Sequence, residues 1–228
     1  MSYYALSLSW NGTGIDFLKI RNLISHKIDS GFPRAVSLLY VLLVDHGLLR
    51  LVWRNFAIVD DKVIRSNHLG NFHLTKLKKN GLRSIVNLRG GQQFAQNAFE
   101  KEFCQNNKVK YYNIPLASTQ WPSKHALLKL IDIFENADSK MLIHCKSGAD
   151  RTGLVVGIYL IWKLKVSGQE AKKNLSIRFL HWKHGKKGIL GEFFDYYDET
   201  SDGTVDFSEW VKVCYLKDIE NKKAASEK

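Results

Sequence analysis

The 228-residue sequence predicts an α/β fold, a central and mostly parallel sheet flanked by helices, preceded by a helical N-terminal extension. Three observations carry this. Short apolar runs near 63–66, 84–88, 109–114 and 141–143 alternate with helical stretches, a pattern that calls for crossover helices and a sheet covered on both faces. The run Met141-Leu142-Ile143 enters a Gly-bearing loop that opens directly onto a helix. That helix, from Thr152 to Lys165, carries Leu154, Val155, Val156, Ile158, Tyr159, Leu160 and Ile161 on most of its faces, so it belongs in the interior.

The elements follow in order. Residues 1–58 form a lead-in and an apolar helical segment. Met1 to Gly14 has no basic stretch ahead of an apolar run and does not read as a secretory signal. From Phe32 to Phe56 the chain is strongly apolar, but Asp45, His46 and Arg50 interrupt it, and a charge at bilayer depth is costly. The run before Asp45 is about ten residues, too short to span a membrane. Two helical pieces broken near Gly47 are expected, packed on the domain in preference to lying on a membrane. The principal domain is expected over 59–218. In it, Asn71–Asn80 is a basic helix stopped by Gly81, and Gln92–Asn107 is a helix carrying Glu100, Lys101 and Glu102. Ser123 can cap a helix over 124–136, and Ser167 with Glu170 can open another over 169–179. Residues 219–228 are a polar tail.

Composition limits the function. An apolar fraction of 45% with 25% charged residues fits a folded protein and excludes a disordered one. A net charge of +12 favours anionic partners, namely phosphorylated proteins, phospholipids or an acidic membrane surface touched peripherally. Nucleic acid is the least favoured of these. Three scattered cysteines form no disulfide framework, which leads us to expect a reducing, cytoplasmic setting, with the inner membrane surface as the alternative.

The chemistry concentrates in His144-Cys145-Lys146-Ser147-Gly148-Ala149-Asp150-Arg151-Thr152-Gly153. A strand running through such a loop into a helix N-terminus makes an anion pocket, because backbone N–H groups converge and the helix dipole favours negative charge. The same field favours the thiolate of Cys145. Arg151 can reach back as a planar fork onto two phosphate oxygens. Backbone donors from Lys146, Ser147, Gly148, Ala149 and Asp150 would complete the cradle. A thiolate facing a bound phosphate is set for displacement at phosphorus.

This run, His-Cys, five residues, then Arg-Thr, resembles the signature of the cysteine-dependent protein tyrosine and dual-specificity phosphatases. It is most similar to their bacterial dual-specificity-like branch, and the stretch from Val63 to Arg89 also resembles the opening of such domains. The resemblance implies a dual-specificity-type fold and attack by Cys145 to give a cysteinyl-phosphate. It also implies a clamp by Arg151, a hydrogen bond from Thr152 to the sulfur, and loop support from His144. Lys146 is a feature shared with some phosphoinositide-directed relatives. Many relatives carry a general-acid Asp in the loop that here reads Leu116-Ala-Ser-Thr-Gln-Trp-Pro122, which has no carboxylate. Asp150 is the substitute, either as acid or as a group that orients Arg151 and the loop. The expected substrates are phosphotyrosine or phosphoserine in proteins, or a lipid or phosphoinositide phosphate. The competing reading is an inactive phosphatase fold that binds phosphorylated ligands, with calcium as a regulator.

Calcium enters through the segment 198–209. Asp198, Thr200, Asp202, Thr204, Asp206 and Glu209 fall at the ligand positions of a twelve-residue EF-hand loop, with Gly203 at the turn. The motif is single, and an acidic turn between closing helices explains it equally well. Elsewhere no metal or cofactor is expected. The loop His181–Lys187, basic and aromatic, reads as a solvated turn.

Overall fold

The computed structural model describes residues 31–91, 94–137, 139–182, 188–201, 203 and 205–215. The lead-in 1–14, the tail 219–228, most of the basic loop after His181, and Asp202 and Thr204 lie outside the described residues.

Helices α1 (Gly31–Leu43) and α2 (Gly47–Val52) form the expected broken pair. Strands β1 (Ala57–Ile58), β2 (Val63–Ser66), β3 (Leu82–Asn87), β4 (Lys110–Asn113) and β5 (Lys140–His144) make one sheet in the order β1-β2-β5-β3-β4. β5 runs parallel to both β2 and β3, β3 runs parallel to β4, and only the two-residue β1 is antiparallel. Helices α3 (Asn71–Lys79), α4 (Ala95–Asn106) and α5 (Lys124–Glu135) supply the crossovers, and α6 (Asp150–Leu164) follows the last strand. They are followed by α7 (Gly168–Lys172), a 3-10 turn (Ile177–Phe179), α8 (Ile189–Thr200) and α9 (Phe207–Val213).

Both faces of the sheet are covered, as a parallel sheet requires. On one face Val63, Val86, Met141 and Ile143 pack against α5, α6, α8 and α9. There Trp210, Phe207, Phe193 and Tyr215 form a fully buried aromatic group. On the other face Ile64, Ile85 and Leu142 meet Leu74 of α3 and Phe103 and Cys104 of α4. The side-chain alternation of a strand does this, since neighbours along β5 point to opposite layers. Ser123 caps α5 by accepting from the Ala126 N–H at 3.2 Å, and Ser167 caps α7 by accepting from the Glu170 N–H at 3.2 Å.

One helix is shorter than expected. The segment predicted over 169–179 leaves the helix after Lys172. Asn174 turns its side-chain amide onto the Ala171 carbonyl at 3.1 Å, and Leu180 takes a left-handed conformation (φ 58°) after the 3-10 turn. Such local bonds compete with helix propagation. Among the described residues no helix is long and apolar enough to cross a membrane.

Candidate active site

The catalytic-type loop grows from the C-terminal end of β5, the central strand, whose neighbours hold it on both sides. Cys145 follows His144 and is buried. Gly148 turns the loop with φ +73°. A Cβ there would fall 2.6 Å from the Ser66 carbonyl carbon and 2.7 Å from the Asn67 nitrogen, so only glycine lets loop and β2 approach this closely. The Gly148 N–H donates to Cys145 Sγ at 3.3 Å. Ala149 precedes α6, and Asp150 opens it.

The loop's polar backbone is tied down from outside. Arg65, buried in β2, donates to the Gly148 carbonyl at 2.9 Å and to the Asn174 carbonyl at 3.3 Å, with its guanidinium carbon 3.5 Å from the centre of the Phe179 ring. Burial lowers the Arg65 guanidinium to about 10, a shift that a negative charge on Cys145 opposes. Asn55 donates to the Ser147 and Phe179 carbonyls, both at 3.0 Å. Arg151 donates to the carbonyls of Leu88 (3.1 Å) and Leu116 (3.4 Å), which aims it across the loop from the other side.

Behind Cys145 lies a buried polar group that sequence reasoning missed. Glu100 of α4 is 1% exposed, and its Oε1 lies 2.9 Å from His144 Nε2 and 3.7 Å from His68 Nε2. Its Oε2 accepts from Asn87 Nδ2 at 2.7 Å. Burial pushes the Glu100 carboxyl up, but the charges of His144 and His68 outweigh it and hold the group at about 2. Burial also keeps His68 well below its ordinary 6.5. The 2.9 Å contact between Glu100 Oε1 and His144 Nε2 lacks good hydrogen-bond geometry. His144 Nδ1 reaches the Cys145 carbonyl at 3.4 Å, which gives His144 its loop-supporting position. His68, Glu100 and His144 present donor atoms within 4.8 Å of one another and could hold a divalent ion. Their charges already close on each other, and Arg89 Nη1 lies 3.2 Å from His68 Nδ1. The Arg89 guanidinium beside His68 places a positive charge at the edge of the trio, and that charge opposes a cation there.

The other predicted site residues are placed as follows. The Asp150 carboxylate is 2.8 Å from His181 Nδ1, and both are buried, so His181 is part of the site's foundation and not of a solvated turn. Lys146 is half-exposed and pairs with Asp45 at 3.4 Å. Thr152 is fully buried, but its hydroxyl has no partner. The sulfur is met by the Gly148 N–H in place of the expected threonine bond. In the acidic segment, Asp198 accepts from the Gly168 and Gln169 N–H groups (2.5 and 2.8 Å). Asp206 caps α9 through the Ser208 N–H (2.8 Å) and pairs with Lys165. Thr200 donates to the Tyr196 carbonyl at 2.7 Å, and Glu209 is exposed. The described oxygens thus hold separate helix ends.

Signals for Arg65 and Asp45 existed, since each is a charge next to an apolar run, whereas Glu100 stands beside Lys101 and Glu102 and gave none. What the sequence lacked was the partner, which is distant in every case.

Cys145 thus sits in a loop at the end of the central strand of the sheet, with Arg151 beside it and α6 behind it. Residues 63–165 match the family described as "Polymorphic toxin system, DSP-PTPase phosphatase", a likeness to the cysteine-dependent dual-specificity and protein tyrosine phosphatase superfamily. The chain is 29% identical over 133 residues to the inositol diphosphatase DSP3 of Arabidopsis thaliana, covering 55% of this chain and 64% of that protein. It is 30% identical over 111 residues to the inositol diphosphatase DSP4 of the same plant, covering 45% of this chain and 53% of that one. The chain therefore spans less than two thirds of these relatives. Among solved structures, Tk-PTP in its active form (TM-score 0.53, 20% identity) covers 65% of this chain and 99% of its own. P. aeruginosa TpbA (TM-score 0.51, 16% identity) covers 64% and 89%, and at these identities both likenesses speak to the fold.

Proposed function

We propose that the protein hydrolyses phosphate monoesters through a cysteinyl-phosphate on Cys145. The observation that carries this is the Cys145 sulfur lying inside the loop, met by the Gly148 N–H, with Arg151 anchored across it. The thiolate attacks phosphorus, an S–P bond forms, and the bond to the leaving oxygen breaks. Arg151 and the backbone N–H groups of residues 146–151 take up the charge on the equatorial oxygens. Water then attacks phosphorus, giving inorganic phosphate and restoring the thiolate.

We assign protonation of the leaving oxygen to Asp150. Two other carboxylates near the loop are committed as anions: Asp45, held at about 2 by arginines, and Glu100, held at about 2 by histidines. In the hydrolytic step Asp150, left as the carboxylate, takes a proton from the attacking water, and His181 Nδ1 at 2.8 Å holds that carboxylate in place. The expected substrates are phosphoprotein and lipid or phosphoinositide phosphate, to which the names of the plant relatives add inositol phosphates. The diphosphatase names of the plant relatives and the +12 charge favour a polyanionic small molecule or headgroup.

Phosphate release by wild type and Cys145→Ser, with chelator present, tests the mechanism on an aryl phosphate, a phosphotyrosine peptide, an inositol diphosphate and phosphoinositide vesicles. Release that chelator spares and Cys145→Ser abolishes is expected. No release from any of the four would return the weight to a binding module. For Asp150→Asn, an acid role predicts a large loss with alkyl leaving groups and near-wild-type rates with acidic phenols. Equal loss with both would make Asp150 a positioning residue.

A further inference from the structure

The turn between α1 and α2 carries a carboxylate to the edge of the catalytic loop. Asp45 Oδ1 and Oδ2 accept from both terminal nitrogens of Arg89 at 2.9 Å each, Oδ2 accepts from Arg50 at 2.7 Å, and Oδ1 lies 3.4 Å from Lys146 Nζ. The Asp45 and Arg89 side chains are only 7% and 9% exposed. We propose that Arg89 and Lys146 form a second anion subsite beside the catalytic loop, filled by Asp45 in the free protein, and that a ligand bearing a second phosphate displaces Asp45 together with its helical hairpin. The inference rests on the phosphatase reading for the first phosphate.

Its position supports this. Lys146 directly follows Cys145. Arg89 directly follows Leu88, whose carbonyl accepts from Arg151. A guanidinium fork plus an ammonium group around two oxygens is a phosphate-binding geometry, and a carboxylate is its nearest internal substitute. Once the hairpin leaves with Arg50, Arg89 and Lys146 present two positive charges where Asp45 offered one negative charge. A second dianionic group would complement that excess better than a carboxylate does. Burial pushes the Asp45 carboxyl up, but the bonds and charges of Arg89 and Arg50 hold it at about 2, so it competes as an anion at any working pH.

The hairpin is also built to leave. Asp45 is already paired with Arg50 of its own hairpin, so departure from Arg89 and Lys146 strands no unpaired carboxylate. Beneath the hairpin lies a cavity of about 350 Å³ lined by Leu38, Val41, Leu42, Leu51, Leu69 and Phe72. Domain interiors close such space, so the hairpin is not fully packed onto the body. The Arg34–Glu102 ion pair that ties α1 to α4 is half-exposed and therefore weak.

Binding decides the matter without turnover. Cys145→Ser protein, with and without Asp45→Asn, is titrated by calorimetry with inorganic phosphate and inorganic pyrophosphate. A lid closed in nine of ten molecules lowers apparent affinity about tenfold, so Asp45→Asn is expected to tighten pyrophosphate by about that factor and phosphate by less than about twofold. Adding Arg89→Met should abolish the gain. Lys146→Met alone, at a half-exposed position, should cut the preference for pyrophosphate even if the Asp45 variant folds poorly. Equal changes for both anions, or a pyrophosphate preference untouched by Lys146→Met, would overturn the subsite. Soluble inositol bisphosphate and vesicles carrying phosphatidylinositol bisphosphate separate the two sources. Tightening toward either supports the subsite, and toward neither refutes it. Should wild type release no phosphate from any substrate, these titrations still read the subsite independently.

Discussion

The two sides of the catalytic loop are held by different means. Underneath, Glu100, His68 and His144 are sealed in the body and face one another, and the buried Arg65 separately holds the loop through the Gly148 carbonyl. Above, the α1–α2 hairpin is joined by one charged cluster and a half-exposed ion pair over a cavity, with Leu39, Leu43, Leu49 and Val52 turned outward. The lower side fixes geometry, whereas the upper side can change it. A buried charge is tolerable only when fully compensated, so the lower network resists any single removal, and the hairpin carries its own compensation for Asp45.

The comparison can be broken in several places. The largest effect is expected at the loop itself: Arg151→Lys keeps the charge but loses the fork, and should reduce kcat by about 10³-fold with little change in melting temperature. Next, Gly148→Ala forces a side chain at φ +73° against the β2 backbone and should cost both activity and stability, seen as parallel loss of kcat and denaturation midpoint. On the lower side, Glu100→Gln should destabilise the fold by about 2 kcal/mol in urea titrations, because it disturbs the buried carboxylate that accepts from Asn87 and faces the rings of His144 and His68.

The same groups set the acid limit. His68 is held below its ordinary 6.5, so the unfolded chain takes up that proton first and stability should start to fall below pH 6.5. Glu100 falls from an ordinary 4.5, and Asp45 from 3.8, each to about 2. Their contribution is present above those ordinary values and is lost as pH drops toward 2. Glu100→Gln should flatten the slope of stability between pH 4.5 and 2. An unchanged slope would mean the carboxylate is not held as described. The smallest effect belongs to the upper side: Arg34→Ala should cost under about 1 kcal/mol.

How much of this was legible in the sequence depended on distance along the chain. The catalytic loop was readable because strand, turn glycine, Cys145 and Arg151 are contiguous, and the sheet was readable from its alternation with helices. The broken apolar hairpin was placed correctly as two helices, but its charge at Asp45 was read only as an obstacle to membrane insertion. Its partners Arg89 and Lys146 lie 44 and 101 residues away (89 − 45 and 146 − 45), and no local pattern announces such a meeting. Glu100 looked like one more charge on a helix, although it faces β5 and not solvent. His181 was hidden in a basic stretch whose composition suggested a solvated turn, whereas its ring is buried against Asp150. Asp198 and Asp206, spaced as in a calcium loop, each accept from backbone N–H groups at the start of a different helix, a pairing that spacing alone does not announce.

The central place of β5 has a further consequence for how the protein comes apart. Its amides and carbonyls are bonded on both sides by β2 and β3, and its side chains fill both layers of the core. Elements of that kind open only with the whole domain, while a loosely packed hairpin opens on its own. Backbone deuterium uptake should therefore begin in α1 and α2 and reach 140–144 last. Mild denaturant would then yield a state with the hairpin released and Cys145 still mounted on an intact sheet.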